Sequence, residues 1–493
     1  MNDLTNDYVM SIDIGSSSVK GGLFTLSCTL REETFINIQH SQINTKDGGV
    51  TEDPINIKNI VENVIDHILS KVDQKYTNII AVSFDSMAST IAGLDNNYIP
   101  VTPFYTYADT RNFRDVEIIK QSIDIDEYHQ RTGTMQHTSY IPGRINWLRR
   151  TDLERYNLIH KWVDIPTYLY MNWFQPETVN TSYCLASWSG LLNRIDHKWD
   201  NKFLEMIDLD VDKLPNLSAW DNPITSLNKT FSKRWKLLRN VPFYLGVGDG
   251  LSANIGSGCF DSSSLAVTIG STGAMRTILP TNNEIPSGLW SYCFGLEKSI
   301  FGGSFTEGGN VIKWANDYLN LDTTQGIDKI LLEKKPDTHG LTILPFFSGE
   351  RSIGWNGSAT ASIDGLRIST TSEDILQALC ESIAHRFSDV YDLLLPYLDD
   401  NFEIIASGGS ISESKWFTQT MANALNKPIA ICKQDQQTLY GTAKLALKGI
   451  GAIQEFSEIP VEKSIIIYPN SVHSEIMAKA RTRQKEYYTS LFR

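Results

Sequence analysis

Apolar and polar residues alternate at period two near the start of the chain, with Met10, Ile12 and Ile14 set against Ser11 and Asp13. Gly15-Ser16-Ser17-Ser18 interrupts the alternation and Val19 to Leu23 resumes it. The pattern predicts strand, tight loop, strand from Tyr8 to Phe24. Ile57, Ile60, Val61, Val64, Ile65 and Ile68 recur at helical spacing, which predicts an amphipathic helix from Ile57 to Lys71. Thr77 to Phe84 is a short apolar run, read as a strand that ends in the polar pair Asp85-Ser86. Strands alternating with helices mark an α/β domain.

A second α/β portion is predicted from residue 242. Pro242 to Val247 reads as a strand leading into Gly248-Asp249-Gly250, and Ser264 to Thr268 as a strand ending in Gly270-Ser271-Thr272-Gly273. Further on come a strand over Gly340 to Phe346, a long amphipathic helix over Glu373 to Leu395, a strand over Glu403 to Ala406 and a helix over Ser414 to Leu425. Asp109 to Asn240 is rich in Trp, Tyr and Asn and reads as inserted loops and helices that dress the first domain. The expected division is 1–241, 242–455 and a tail, 456–493, whose basic end (Ala478 to Arg493) is helical.

Composition narrows the function classes. The 493 residues carry 44 Lys+Arg and 57 Asp+Glu, a net charge of −13, with 41% hydrophobic and 20% charged residues. Such a chain is globular, not disordered, and can bury a large core without staples. The acidic balance argues against general nucleic-acid binding, which needs a basic surface. No signal peptide opens the sequence and no run approaches the apolar length of a membrane span. A cytoplasmic protein without a membrane partner is therefore expected. The six cysteines are scattered without CxxC spacing, so they are expected as buried thiols and not as a metal site or disulfide framework. Oligomeric state stays open, a homodimer included.

The segment Asp13-x-Gly15-Ser16-Ser17-Ser18-x-Lys20 can offer backbone N–H and hydroxyl groups to phosphate oxygens, with Asp13 placed to hold hydrated Mg²⁺. A solvated hairpin with a surface Asp would have the same sequence. No Walker loop occurs anywhere. Asp249, between two glycines at the mouth of a strand, could deprotonate a substrate hydroxyl; a turn Asp bonded to its own backbone is the plainer alternative. Gly270-Ser271-Thr272-Gly273 repeats the first hydroxyl–glycine turn, which suggests two similar domains facing a shared cleft. Gly408, Gly409 and Ser410 follow a strand, and bare glycines there would let a flat ring approach the backbone.

Taken together and in order, Asp13-Ile-Gly15-Ser-Ser-Ser, Tyr107-Ala-Asp109-Thr-Arg111, Gly248-Asp249-Gly250, Thr268-Ile-Gly-Ser-Thr-Gly273, Ser348-Gly-Glu-Arg351 and Ser407-Gly-Gly409 resemble the FGGY carbohydrate kinase family, nearest its gluconokinase members, over about residues 8 to 450. The resemblance implies two actin-like ATPase (ribonuclease H-like) α/β domains around a central cleft. It implies ATP-dependent phosphorylation of a terminal hydroxyl on a sugar or sugar acid, gluconate first, with ATP and Mg²⁺ as cofactors. Asp249 would be the catalytic base and Asp13 would help position the metal. Gly15, Ser16 and Ser17 with Gly270, Ser271 and Thr272 would flank the phosphates, and Gly408, Gly409 and Ser410 would lie along adenosine. For the sugar we expect Asp109, Arg111 and His137 beside Asp249, with Arg111 able to meet a carboxylate in fork geometry; a structural ion pair or a capping contact is the alternative for each. The sequence departs from the family at Ala88-Ser89, Tyr107 and Arg144, which bears on the sugar and not on the reaction. A ketopentose kinase, a sugar sensor without turnover and an actin-like filament ATPase are the competing readings.

Overall fold

The computed structural model describes residues 6–174, 178, 180–321 and 327–492. The opening hairpin is built as the alternation predicts. Strand β1 (Asp7–Ile14) pairs antiparallel with β2 (Ser18–Phe24), and β2 with β3 (Ile36–Gln39). On its other side β1 pairs in parallel with β4 (Asn78–Ser86), and β4 with β5 (Val247–Gly248). The sheet order is β5-β4-β1-β2-β3. Helix α1 (Pro54–Ser70) starts where Asp53 accepts hydrogen bonds from Ile55 N and Asn56 N, a side-chain cap for its first turn. It lays Ile57, Val61, Val64, Ile65 and Ile68 on the sheet. Each such side chain, fully buried, stabilises the fold by roughly 1.5–3 kcal/mol.

The second sheet repeats the plan. Strand β6 (Ser264–Ile269) pairs antiparallel with β7 (Gly273–Pro280) across a three-residue turn, as β1 does with β2. Next come β8 (Trp290–Cys293) and β9 (Lys298–Phe305), then β10 (Glu403–Ser407), parallel to β6, and β11 (Ile429–Cys432), parallel to β10. Strand β12 (Lys463–Ile467) closes the order β8-β9-β7-β6-β10-β11-β12, and helices α3 (Ser372–Leu394) and α4 (Lys415–Leu425) pack against each other in the core beside this sheet. In both sheets the first strand has its hairpin partner on one side and a parallel strand on the other. The internal repeat suspected from the two turns is thus a repeat of topology.

Two sequence boundaries are corrected. Residues 242–246 are not a regular strand, and β5 belongs to the first sheet, Val247 lying opposite Asp85 and Gly248 opposite Ser86. The first unit therefore continues past residue 241. The strand predicted over Gly340 to Phe346 is only Thr342–Leu344, and it pairs with Ser362–Asp364 outside the main sheet. The end of the chain is more than a tail. Strand β12 extends the second sheet, and helix α6 (Ser471–Phe492) buries Met477 in that core and pairs Arg481 with Asp389 and Arg483 with Asp337. Arg493, the last residue of the predicted helical end, lies outside the described residues, as do residues 1–5. Among the described residues no helix is long and apolar enough to cross a membrane. All six cysteines are free and buried.

The halves meet through two helices. Helix α2 (Asp249–Gly256) leaves β5 and crosses α5 (Gln437–Gly449), which also packs on β1 and β4. The crossing is closed by glycines: a Cβ on Gly441 would lie 1.9 Å from Ser252 O, and one on Gly256 1.8 Å from Gln437 O. Only hydrogen side chains let the backbones approach so closely.

Candidate active site

Parallel register sets Asp13 of β1 opposite Asp85 of β4, so both carboxyls stand on one face at the same end of the sheet. Both are buried. Burial raises the Asp13 pKa against the pull of Lys20, its partner across the hairpin. Burial, and then the charge of Asp13, pushes Asp85 well above the carboxylate range. Asp85 Oδ2 accepts from Thr442 Oγ1 at 2.5 Å, and Thr442 Oγ1 lies 2.8 Å from Ser252 Oγ, so α2, α5 and β4 are tied at one point. Asp85 Oδ1 is buried and has no donor; a proton held on this carboxyl would close the contact with Asp13. Asp85 was legible in the sequence only as a polar strand end.

The first turn is braced from outside. His40 donates its Nε2 proton to Gly15 O at 3.0 Å, and its Nδ1 lies 3.1 Å from Glu52 Oε1. The Glu52 carboxylate raises the His40 pKa, which favours the doubly protonated ring needed for both contacts. Ser16 and Ser17 form the tip of this turn, and neither lines the main cavity described below.

Asp249 opens α2 and accepts from Gly250 N at 2.8 Å. The plain turn contact considered for this residue is therefore present. It is not the whole of its setting, because the side chain also lines a cavity of about 290 Å³. Asp249 has no ion-pair partner among the described residues; Arg276 lies close enough to lower its pKa but donates its Nη1 proton to Gly250 O. Burial, with the Asp13 charge second, lifts the Asp249 carboxyl to about 6. A carboxylate that titrates near neutrality is suited to taking a proton from an alcohol.

The same cavity is walled by Ala88 and Ser89 after β4, by Ser139, Tyr140 and Trp188 from the inserted segment, and by Thr268, Thr272 and Gly273 around the second turn. It lies between the halves. Trp188 stacks on Tyr292 at 3.8 Å between centroids, and Tyr292 on Trp290 at 4.4 Å, which gives the cavity a flat aromatic side. Gly270 and Ser271 sit beside it: Ser410 Oγ donates to Gly270 O at 3.1 Å, and Asn310 N donates to Ser271 O. The turn and the Gly408-Gly409-Ser410 segment are thus in contact. Gly408 has φ +94°, and a Cβ there would fall 2.5 Å from Ile269 O, so the bare backbone at this position is required by packing against β6.

The residues expected to bind sugar are placed differently. Arg111 donates Nε to Asp109 Oδ1 at 3.0 Å and Nη2 to Asp109 Oδ2 at 2.5 Å, and its guanidinium stacks over Trp147. The fork anticipated for a substrate carboxylate is filled by the neighbouring aspartate, the structural alternative weighed for this pair. Arg111 lines a separate hollow with Tyr105 and Arg155, and neither Asp109 nor Arg111 lines the main cavity. His137 is also off that wall, with Nδ1 3.0 Å from Ser139 Oγ and its ring edge-on to Trp355; burial lowers its pKa to about 3. The cavity instead presents Tyr107, Arg276 and Arg351. Sequence reading left Arg351 without a role and had no signal for Arg276, which sits inside a strand.

Comparison with known proteins agrees with this architecture. The model of the FGGY family of carbohydrate kinases, N-terminal domain, matches residues 8–256, and that of the C-terminal domain residues 265–450. The gluconokinase of Bacillus subtilis (strain 168) is 26% identical over 467 residues, 92% of this chain and 89% of that protein. The xylulose kinase of Staphylococcus xylosus is 22% identical, covering 94% and 95%. The crystal structure of gluconate kinase from Lactobacillus acidophilus superposes with a TM-score of 0.91 at 25% identity, covering 98% of both chains; that of ligand-bound xylulose kinase from the same organism gives the same values. The two repeated sheets are the two domains of this actin-like kinase fold. Since the two family models between them account for most of its length, the chain belongs to the FGGY family of carbohydrate kinases.

Proposed function

We propose that the chain transfers the γ-phosphoryl group of ATP to a terminal hydroxyl of a sugar acid, with gluconate as the acceptor and 6-phosphogluconate as the product. The observation that carries the reading is Asp249, lifted to about 6 and without an ion-pair partner among the described residues, on the wall of a cavity shared with Thr272 and Gly273 of the second hydroxyl–glycine turn. Asp249 takes the hydroxyl proton as the oxygen bonds to the γ-phosphorus; the bond to the bridging oxygen breaks and ADP leaves. Catalysis of this kind rests on placement and charge neutralisation. The two turns and the Gly408-Gly409-Ser410 segment are the proposed nucleotide contacts. Asp13, with Asp85 beside it and one Asp85 oxygen lacking a donor, would hold a hydrated Mg²⁺, whose charge would keep both carboxyls ionised. No group of three His, Cys, Asp or Glu is arranged to hold a metal alone among the described residues, in keeping with an ion that retains waters and phosphate oxygens. The metal would neutralise phosphate charge.

Gluconate as the acceptor is supported by the match to gluconokinases. A ketopentose is the second reading, supported by the equally good superposition on xylulose kinase. Initial rates of ADP formation with gluconate, ribulose, xylulose, ribitol and glycerol at fixed Mg-ATP decide between them. The expected result is the highest kcat/KM with gluconate. A higher value with a ketopentose would replace it.

A further inference from the structure

Two guanidinium groups line the cavity, and their settings differ. Arg276 is buried and engaged at the Asp249 end, through Gly250 O. Arg351 stands beside other residues: its guanidinium lies over the Tyr107 ring at 5.2 Å, and its carbonyl accepts from Trp355 N. Its charge is felt by the hydroxyls of Tyr140 and Tyr292, which meet each other at 2.6 Å. No carboxylate forms an ion pair with Arg351 among the described residues. The preceding residue, Glu350, is taken by Arg386 and by Tyr488. Glu307, which feels the Arg351 charge, is itself lifted to about 7 by burial and has Thr306 as its hydrogen-bond donor. The Nε atoms of both arginines are buried without an acceptor.

A guanidinium only donates, and Arg351, half-buried and stacked over the Tyr107 ring, keeps donor capacity free for an anion, its buried Nε having no acceptor. The neighbours of Arg351 on the wall, Ser139, Tyr140, Trp355 and Tyr107, are neutral. Asp249, the one carboxylate on the cavity wall among the described residues, is engaged with Gly250 N beside Arg276. On the cavity wall Asp249 is thus grouped with Gly250 and Arg276, and Arg351 with Tyr107 and Trp355, the two groups being linked through the aromatic row Trp188, Tyr292 and Tyr140.

We infer that Arg351 is the residue that selects an anionic acceptor, meeting the substrate's carboxylate while the opposite end of the same substrate presents its hydroxyl to Asp249. The assignment rests on the kinase reading above and deepens it. It moves carboxylate recognition away from Arg111, whose fork Asp109 occupies.

The test compares wild type with Arg351→Gln and Arg351→Lys. It measures kcat and KM for gluconate, for the best neutral acceptor of the panel and for ATP, with gluconate binding followed by calorimetry and folding by thermal unfolding. The selectivity for gluconate over the neutral acceptor, as a ratio of kcat/KM, is expected to fall about 100-fold in Arg351→Gln, the scale of a lost charge-assisted contact in a desolvated site. Arg351→Lys is expected to recover part of that loss, and the KM for ATP to stay within about twofold of wild type. An unchanged ratio, or a rise confined to the KM for ATP, would overturn the inference; the latter would place Arg351 on the nucleotide. If wild type phosphorylates only neutral sugars, the kinase reading stands and this inference falls. If no acceptor stimulates ATP consumption, the kinase reading falls, and calorimetry decides this one: gluconate binding that weakens in Arg351→Gln supports it, and binding that is absent or unchanged refutes it. A variant that fails to fold is replaced by Arg351→Met under the same criteria.

Discussion

An alcohol can hand its proton only to a carboxylate that is ionised and yet basic enough to take it. Asp249 meets both conditions because burial and the Asp13 charge raise its pKa while Arg276 restrains the rise. The sign of the pH effect follows. Above about pH 6 the carboxylate is free to accept a proton; below it the group is protonated and kcat/KM should fall about tenfold per unit. Removing the restraining charge with Arg276→Met should move this acid limb to higher pH. A pH–rate profile of the two proteins checks both statements, and a limb that stays put in the variant would separate Arg276 from the base.

At the scale of elements, the approach of α2 to α5 decides where Asp249 stands. Gly441→Ala would drive a methyl into the Ser252 carbonyl, and overpacking of this kind typically costs about 1–3 kcal/mol. Urea unfolding should show a loss near 3 kcal/mol, and activity should fall as well, because Thr442, the next residue, holds Asp85. The two hairpins and their turns are legible in the sequence, since alternation and glycine–serine punctuation are local signals. The helices over Pro54–Ser70, Ser372–Leu394 and Lys415–Leu425 are legible too, with ends within a few residues. What the sequence does not disclose is long-range pairing. His40 braces Gly15 from 25 positions away and Thr442 reaches Asp85 from 357. The residues 242–246 read as a strand because they are apolar, yet their burial comes mainly from packing, with pairing confined to single bridges such as Val82 with Phe243.

For the whole molecule, repetition is the organising fact. Each half offers a first strand, a hydroxyl–glycine turn and a second strand, and the cavity opens between the halves with Asp249 on one side and Thr272 on the other. A sugar sensor of this fold would need the cavity but not the base. The most direct measurement is therefore ADP formation by wild type and Asp249→Asn, with and without gluconate, alongside gluconate binding to both. The account predicts sugar-stimulated turnover in wild type, a loss of at least about 100-fold in kcat in the variant, and binding that survives the substitution. Turnover in Asp249→Asn close to that of wild type would contradict it.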